Sequence, residues 1–381
     1  MHTTWVEIDR AALLHNVRTF RALLGAGGAA MMAVVKGNAY GHGMADVARA
    51  VEAEVDWYGV NSLDEALALR AAGCTLPTLI LGASAPERQS EIVRAGFRQV
   101  VYDRETAALV AREAARAGVR AAVHLEVETG TNRLGARHEA LCALAAAVRA
   151  EPSLELEGLF THYANIEDTI DGSYADHQLG RFRAAVAAVE AGGPVPIKHS
   201  AASAATILYP QTYFTMARVG VGLYGLWPSE DTREAARRAG LCVDLRPVLS
   251  WKARLVHLND VPFGEPVGYG CTYVATRPRR IGVIPVGYYE GLDRGLSNRG
   301  RVLVRGRTAP IVGRVAMNMT MIDVSEIPDA AVGDDVVIIG RQAERAITAE
   351  DVAALLDTIN YEVVTRIGPS APRVWVNTSE G

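Results

Sequence analysis

The sequence predicts an α/β protein in two parts, an N-terminal (β/α)8 TIM-like barrel and a C-terminal mainly β domain. Three observations predict it. About the first 225 residues alternate short apolar runs with longer alanine-rich stretches of helical period. After about residue 245 the helical stretches give way to apolar runs punctuated closely by glycine and proline. At 381 residues the chain also exceeds one ordinary core. The expected division is a barrel over 10–235 and a second domain over 236–381 that takes in residues 1–9.

Eight barrel strands are expected at 31–36, 57–60, 78–81, 99–102, 121–127, 156–162, 195–199 and 218–224. Helical stretches such as 62–72, 104–117 and 139–150 lie between them. Several open on a capping residue, Ser62 or Asp103, and close at Gly73, Gly96 or Gly118. A doubly wound open sheet is the alternative, but it usually has fewer strands, and no GxGxxG follows the first strand. The run Trp227-Pro228-Ser229-Glu230-Asp231 is turn-like, and a short polar segment follows over 232–238. Beyond it strands are expected at 249–258, 280–285, 301–304, 310–315, 320–324 and 335–339, with one helix at 348–359. The strand Thr4–Ile8 precedes the first barrel helix and is free to pair with the second domain.

Composition excludes several functions. A net charge of -4 provides no basic field, so nucleic acid is not an expected partner. No basic region followed by a long apolar stretch opens the chain, and no apolar run reaches membrane-spanning length. Cys74, Cys142, Cys242 and Cys271 are scattered without a CxxC pair, which points to reduced thiols and no zinc site. A cytoplasmic protein without metal or membrane attachment is the expectation.

The chemistry concentrates in Val34-Val35-Lys36-Gly37-Asn38-Ala39-Tyr40-Gly41-His42-Gly43. Burying an unpaired ammonium group at the end of an apolar strand is costly. A lysine there either snorkels outward or is desolvated toward the neutral amine that Schiff-base chemistry needs. Barrel chemistry gathers at the carboxyl ends of the strands. Read in order, those ends carry Lys36, Tyr40, Arg133, His162, His199 with Ser203, and Arg218 with Gly220. Each has an ordinary alternative: a core histidine at His162, a helix cap or solvent-facing charge at Arg133. Their convergence on one rim is what argues for a site.

The ten-residue string resembles the pyridoxal phosphate (PLP) lysine motif of the bacterial alanine racemases, and later motifs extend the resemblance over nearly the whole chain. It implies that Lys36 forms a Schiff base with PLP and then moves the Cα proton on one face. Tyr40 resembles the phosphate-binding tyrosine. Thr161-His162-Tyr163-Ala164 resembles the segment whose histidine lies against the pyridine ring. Ser203-Ala204-Ala205-Thr206 resembles the phosphate-contacting serine segment. Arg218-Val219-Gly220-Val221 resembles the segment where arginine meets the pyridine nitrogen and the Gly220 and Val221 amides meet phosphate. Guanidinium only donates hydrogen bonds, so the ring nitrogen stays an acceptor and the ring a weaker electron sink, which limits side reactions. In Glu126-Val127-Glu128-Thr129-Gly130-Thr131-Asn132-Arg133-Leu134-Gly135 the match implies that Arg133 binds the substrate carboxylate and the cofactor's phenolic oxygen. Glu126 stands where many members carry a carbamate-modified lysine, and Thr131 where methionine is usual. Glu126 either supplies the carbamate's negative charge or is an ordinary pairing carboxylate.

Racemisation requires proton handling on both faces of a planar carbanion. Gly268-Tyr269-Gly270-Cys271-Thr272-Tyr273 resembles the segment whose tyrosine is the second acid/base, with His162 as its partner. A tyrosine works near neutrality only with a hydrogen bond, a nearby cation or the cofactor's field. Pro285-Val286-Gly287-Tyr288-Tyr289-Glu290-Gly291 resembles the substrate-entrance motif, with Tyr288 the matching tyrosine. Gly313-Arg314-Val315-Ala316-Met317-Asn318-Met319-Thr320 resembles the segment whose methionine amide holds the substrate carboxylate, here Met317. Asn360-Tyr361-Glu362 matches a late segment whose tyrosine reaches phosphate; packing is the ordinary role of an isolated tyrosine in such a domain. Tyr289 and Glu290 replace alanine and aspartate, Asn318 replaces aspartate, and Ala202 replaces asparagine. In the family the tyrosine base and the methionine come from the partner subunit, which implies a two-fold homodimer with shared sites.

The reading is a PLP-dependent two-base racemase that interconverts L- and D-alanine and supplies D-alanine for peptidoglycan. A serine or broad-specificity racemase is the near alternative, because Tyr289, Thr131 and Asn318 sit near the expected pocket. A decarboxylase on the same barrel fits less well with Tyr269 at a proton-donor position. A non-catalytic PLP-binding barrel would lack the strand-rich part that carries Tyr269 and Met317.

Overall fold

The computed structural model describes residues 2–25 and 28–378. Met1 and residues 379–381, assigned above to the second domain, and residues 26–27 of the barrel lie outside the described residues. The chain divides into two units. One comprises Leu13–Ala39 and Met44–Arg246; the other comprises the residues through Ala12, Tyr40–Gly43 and the chain from Pro247 onward.

After the first strand, β1 (Thr4–Asp9), the first unit contains eight parallel strands. They are β2 (Ala30–Val34), β3 (Trp57–Val60), β4 (Thr78–Ile80), β5 (Arg98–Val101), β6 (Ala121–Glu126), β7 (Leu154–Phe160), β8 (Ile197–His199) and β9 (Met216–Val219). Each pairs with its sequence neighbour from β2 to β8, and β9 returns to pair with β2. The two edges meet through Thr215 N–H to Lys198 O at 3.0 Å and Arg218 N–H to Ala201 O at 2.9 Å, so the barrel closes. Every residue of β3, β4 and β9 is buried, as expected of parallel strands covered on both faces. Two of the intervening helices, Leu63–Ala71 and Arg104–Ala117, are capped as expected. Ser62 Oγ accepts from Glu65 N–H, Asp103 from Thr106 N–H, and Gly118 closes its helix at φ 67°. Phe182 packs edge-on against Phe214, ring centroids 5.0 Å apart, in a core with Val123, Leu125, Leu144 and Leu159.

The eighth strand departs from expectation. It ends at Val219, and Val221–Tyr224 form one tight 3-10 turn. The Gly220 and Gly222 amides turn toward the Ser203 side chain and leave the sheet ladder. Residues 236–246 stay with the barrel, where Asn16 donates to Arg246 O at 2.8 Å and accepts from Arg246 N–H at 2.8 Å.

In the second unit β1 lies between β10 (Leu249–Arg254), antiparallel, and β20 (Arg373–Val376), parallel. The sheet continues through β18 (Asp335–Gln342) to the hairpin β15 (Arg301–Val304) and β16 (Arg307–Pro310), with β19 (Arg345–Ile347) beside β18. A smaller sheet orders β11 (His257–Val261), β14 (Arg279–Ile284) and β17 (Thr320–Asp323). A two-stranded ribbon joins β12 (Pro266–Val267) and β13 (Tyr273–Val274).

Three expected elements are redrawn. The single run 249–258 is two strands, because Val256 N–H turns to Val283 O and the chain changes sheets. The strand expected at 310–315 is the earlier β16, since Arg305 and Gly306, both at positive φ, make a tight hairpin turn. The helix expected over 348–359 ends at Leu356 with Asp357 left-handed, and a second short helix covers Asn360–Thr365. Its start is a capping box between Thr348 and Asp351.

Candidate active site

Lys36 follows the end of β2 and opens a turn in which Gly37, Asn38, Ala39 and Tyr40 all have positive φ, between 51° and 62°. A left-handed turn costs roughly 1–2 kcal/mol per non-glycine residue, so something must hold it. Glu65 does so, accepting Gly37 N–H and Asn61 N–H at 2.7 Å each. Asn38 Oδ1 accepts Met44 N–H at 2.9 Å. Burial lowers the Lys36 pKa, Arg133 and Arg218 lower it further, and Glu65 opposes them. Of the two readings of a strand-end lysine, the direction of this shift favours the desolvated one.

Arg218, in β9, is buried and organises the barrel side of the site. One terminal nitrogen donates to His199 Nδ1 at 2.8 Å and His199 O at 3.1 Å. The other donates to Thr161 O at 2.8 Å, Ser200 O at 3.2 Å and His162 Nδ1 at 3.3 Å. Its Nε–H has no hydrogen-bond partner among the described residues. Burial pushes its pKa down to about 10 against the pull of Glu126, so it stays charged at neutrality.

Those bonds settle three imidazoles. Arginine can only donate, so His162 accepts at Nδ1 and carries its proton on Nε2. Burial, then Arg218, Arg133 and Lys36, push its pKa down to about 3. His199 likewise accepts at Nδ1, and its Nε2–H donates to His124 Nδ1 at 3.0 Å. His124 Nε2–H then donates to Glu157 at 3.1 Å. Burial depresses both His199 and His124. Against the upward push of burial, bonds from His124 and Arg98 hold the Glu157 carboxyl below its ordinary range. A one-way chain of donors thus runs from Arg218 to a carboxylate. Sequence reasoning placed His199 on the rim and missed His124, Glu157 and Glu65. The available signal was weak: His124 and Glu157 lie in largely apolar strands that also carry Glu126 and Glu155.

Ser203, buried at the start of the short helix Ser203–Leu208, accepts Gly220 N–H at 3.0 Å and Gly222 N–H at 3.3 Å. Its own hydroxyl proton is left to donate. A Cβ on Gly222 would lie 2.3 Å from the Phe20 ring, so the close approach requires glycine. The Gly220 amide, expected to meet an anion directly, is engaged by Ser203 here.

The Arg133 loop is held from beneath. Glu128 accepts Gly130 N–H and, at 3.3 Å, Arg133 N–H; Thr131 Oγ1 donates to His162 O at 2.5 Å. The Arg133 side chain is exposed. Glu126 is buried, which raises its pKa against the pull of Arg133 and Arg218, yet no hydrogen bond or ion pair joins it to either.

In the second unit the Tyr40 and Tyr361 rings lie 6.1 Å apart, and burial pushes the Tyr40 phenol up to about 12. Tyr269 sits between β12 and β13, in a loop where Gly268 and Gly270 both have positive φ. Its side chain is 73% exposed. Met317 and Tyr288 are 54% and 45% exposed. Tyr288 N–H donates to Ala316 O and Tyr289 N–H to Met317 O, both at 3.0 Å. The structure thus brings Lys36, Arg133, Arg218 and His162 together in the barrel unit, joins Ser203 to the Gly220 turn that follows Arg218, and places Tyr40 with Tyr361, and Tyr288 with Met317, in the second.

The family model described as "Alanine racemase, N-terminal domain" matches residues 8–228, and "Alanine racemase, C-terminal domain" matches 248–375. A relative from Desulfovibrio desulfuricans described as alanine racemase is 42% identical over 374 residues, covering 98% of each chain. One from Leptospira interrogans is 40% identical over 380 residues, 99% of this chain and 96% of the relative. Among solved structures, alanine racemase from Bacillus anthracis with bound L-Ala-P has a TM-score of 0.92 at 33% identity, covering 100% of this chain and 96% of that one. Alanine racemase from Streptomyces lavendulae has a TM-score of 0.91 at 35% identity, covering 99% and 97%.

Proposed function

The chain belongs to the alanine racemase family, a family of PLP-dependent isomerases, and on that premise we propose that it interconverts L- and D-alanine using PLP, Lys36 and Tyr269. The observation that carries this reading is the state of Arg218. Its terminal nitrogens are saturated by protein, while Nε–H remains a donor for an acceptor such as a pyridine nitrogen. Ser203 keeps a hydroxyl proton for a phosphate, and Lys36 is shifted toward the neutral amine. These donors fit PLP.

Lys36, Tyr40, His162, Ser203, Arg218, Gly220, Val221 and Tyr361 would hold the cofactor. When bound, PLP supplies a carbonyl carbon that links to amines and an electron-withdrawing ring that acidifies the substrate Cα–H. Lys36 Nζ takes or returns the Cα proton on one face, and Tyr269 Oη does so on the other. Neutral His162 would face the ring, and Arg218, which can only donate, would keep the ring nitrogen an acceptor. Arg133 and the Met317 amide receive the substrate carboxylate, with Tyr288 at the entrance.

Each chain would supply a cofactor-holding barrel and a strand-rich domain that includes the first strand. Two chains would form a homodimer in which Tyr269 and Met317 serve the partner's barrel. A cytoplasmic site of action and a supply of D-alanine to peptidoglycan complete the proposal; no helix among the described residues is long and apolar enough to cross a membrane.

Borohydride reduction of the PLP-loaded protein followed by peptide mapping tests the reading. The pyridoxyl label is expected on Lys36, and label on another lysine refutes the assignment. A panel of L-amino acids assayed for D-product should favour alanine; preferential turnover of serine would reassign the substrate.

A further inference from the structure

We propose that Glu290 and Asn318 form a matched positioning pair that locks the Tyr288 segment to the Met317 segment and so sets the substrate-carboxylate end of the site. The proposal rests on the reading of Met317 and Tyr288 as substrate-facing.

Glu290 is buried, and each of its carboxylate oxygens has one donor. Asn318 Nδ2 donates to Oε1 at 2.8 Å, and Gly287 N–H donates to Oε2 at 2.8 Å. The bond to Asn318 crosses between two segments already zipped by backbone, Tyr288 N–H to Ala316 O and Tyr289 N–H to Met317 O. Gly287 permits that approach, since a Cβ there would stand 2.1 Å from Ala316 O and 2.4 Å from Met317 O. Tyr288 and Met317, which lie inside this ladder, are exposed, so packing does little to fix them. Their backbones are fixed instead by a charge-assisted bond at the ladder's closed end. The chemistry of the pair is directional. The carboxylate only accepts, and the amide beside it must donate. Both residues depart from the aspartates usual in the resembled motifs, and here one departure supplies the donor that the other requires.

The test is an exchange of the two functions. Asn318→Asp places two carboxylates in contact and removes the donor, so the KM for alanine should rise roughly tenfold or more, with a smaller change in kcat. In the double variant Glu290→Gln/Asn318→Asp, the new amide can donate to the new carboxylate and still accept Gly287 N–H. KM should return to within about threefold of wild type, a rescue that simple loss of packing would not show. Amide hydrogen exchange at Gly287, Tyr288 and Tyr289 gives a second readout that needs no turnover. Exchange should accelerate in Asn318→Asp and slow again in the double variant. Unchanged exchange in Asn318→Asp, or additive defects in the double variant, overturns the pair. Restored exchange with an uncorrected KM overturns its role toward substrate. If the wild-type protein fails to racemise alanine, the activity reading fails by itself, and the exchange measurements still decide whether the pair exists.

Discussion

The two units present their reactive groups in opposite ways. In the barrel, Arg218 and His162 are interlocked, and burial depresses the His162, Lys36 and Arg218 pKa values, with Arg133 adding to it at all three and Arg218 at the first two. In the strand-rich unit Tyr269, Met317 and Tyr288 stand exposed. A buried polar group is tuned by the neighbours packed against it. The barrel half therefore carries its own electrostatic environment. The tyrosine half acquires one only when something dry and charged covers it. That contrast is the physical argument for a second copy of the chain, and three experiments test it.

The largest effect is expected from Tyr269→Phe. An exposed phenol carries little packing energy, so the variant should fold and keep the absorbance of bound PLP. Loss of a positioned acid/base should cost roughly 10²–10⁴ in racemisation. Near-normal turnover in both directions would remove Tyr269 from the chemistry and leave the barrel half as the whole machine.

Mixing tests whether the cover is a second chain. Lys36→Ala and Tyr269→Phe proteins are each expected to be inactive. Under subunit exchange about half the dimers should be mixed, and each would hold one site with both bases and one with neither. Activity should therefore recover to about a quarter of wild type. If both bases came from one chain, every mixed site would still lack a base. No recovery, with exchange confirmed independently, rules out shared sites.

The same contrast explains what could be read in advance. Repetition made the barrel legible: eight apolar runs, capped helices and glycine stops. The β1 strand joining the second unit also followed from its position ahead of the first barrel helix. Strand ends were less legible where side chains intervene. The apolar run Val221–Tyr224 reads as a continuation of the eighth strand, and nothing in its pattern shows Ser203 drawing in the Gly220 and Gly222 amides. Within the site, Lys36 and Arg218 stood out as charges in apolar strands. The chain from His199 through His124 to Glu157 joins residues 33 and 75 positions apart. Such a link is set by the pairing of three adjacent strands and leaves no local pattern. The left-handed turn after Lys36 was equally hidden, since Asn38, Ala39 and Tyr40 are not the residues that usually mark positive φ as a group.

The smallest expected effect concerns Glu126, the buried carboxylate at the exposed edge of the barrel site. Burial raises its pKa, and Arg133 and Arg218 only partly offset this. A carboxyl with a raised folded-state pKa binds more protons folded than unfolded once pH exceeds the ordinary glutamate value. Stability is therefore lost as pH rises through that window. Glu126→Gln removes the loss, so the cofactor-free variant should melt a few degrees higher than wild type at pH 8, with little difference at pH 4. The same substitution removes the anion that acts on Arg133. If that anion orients the arginine toward substrate, the KM for alanine should rise severalfold, and added bicarbonate should change neither protein. The two readouts move in opposite senses, a signature that damage to the fold cannot imitate. An unchanged KM in a more stable variant would make Glu126 a bystander to the chemistry. The barrel side of the comparison would then end at Arg218 and exclude the Arg133 loop.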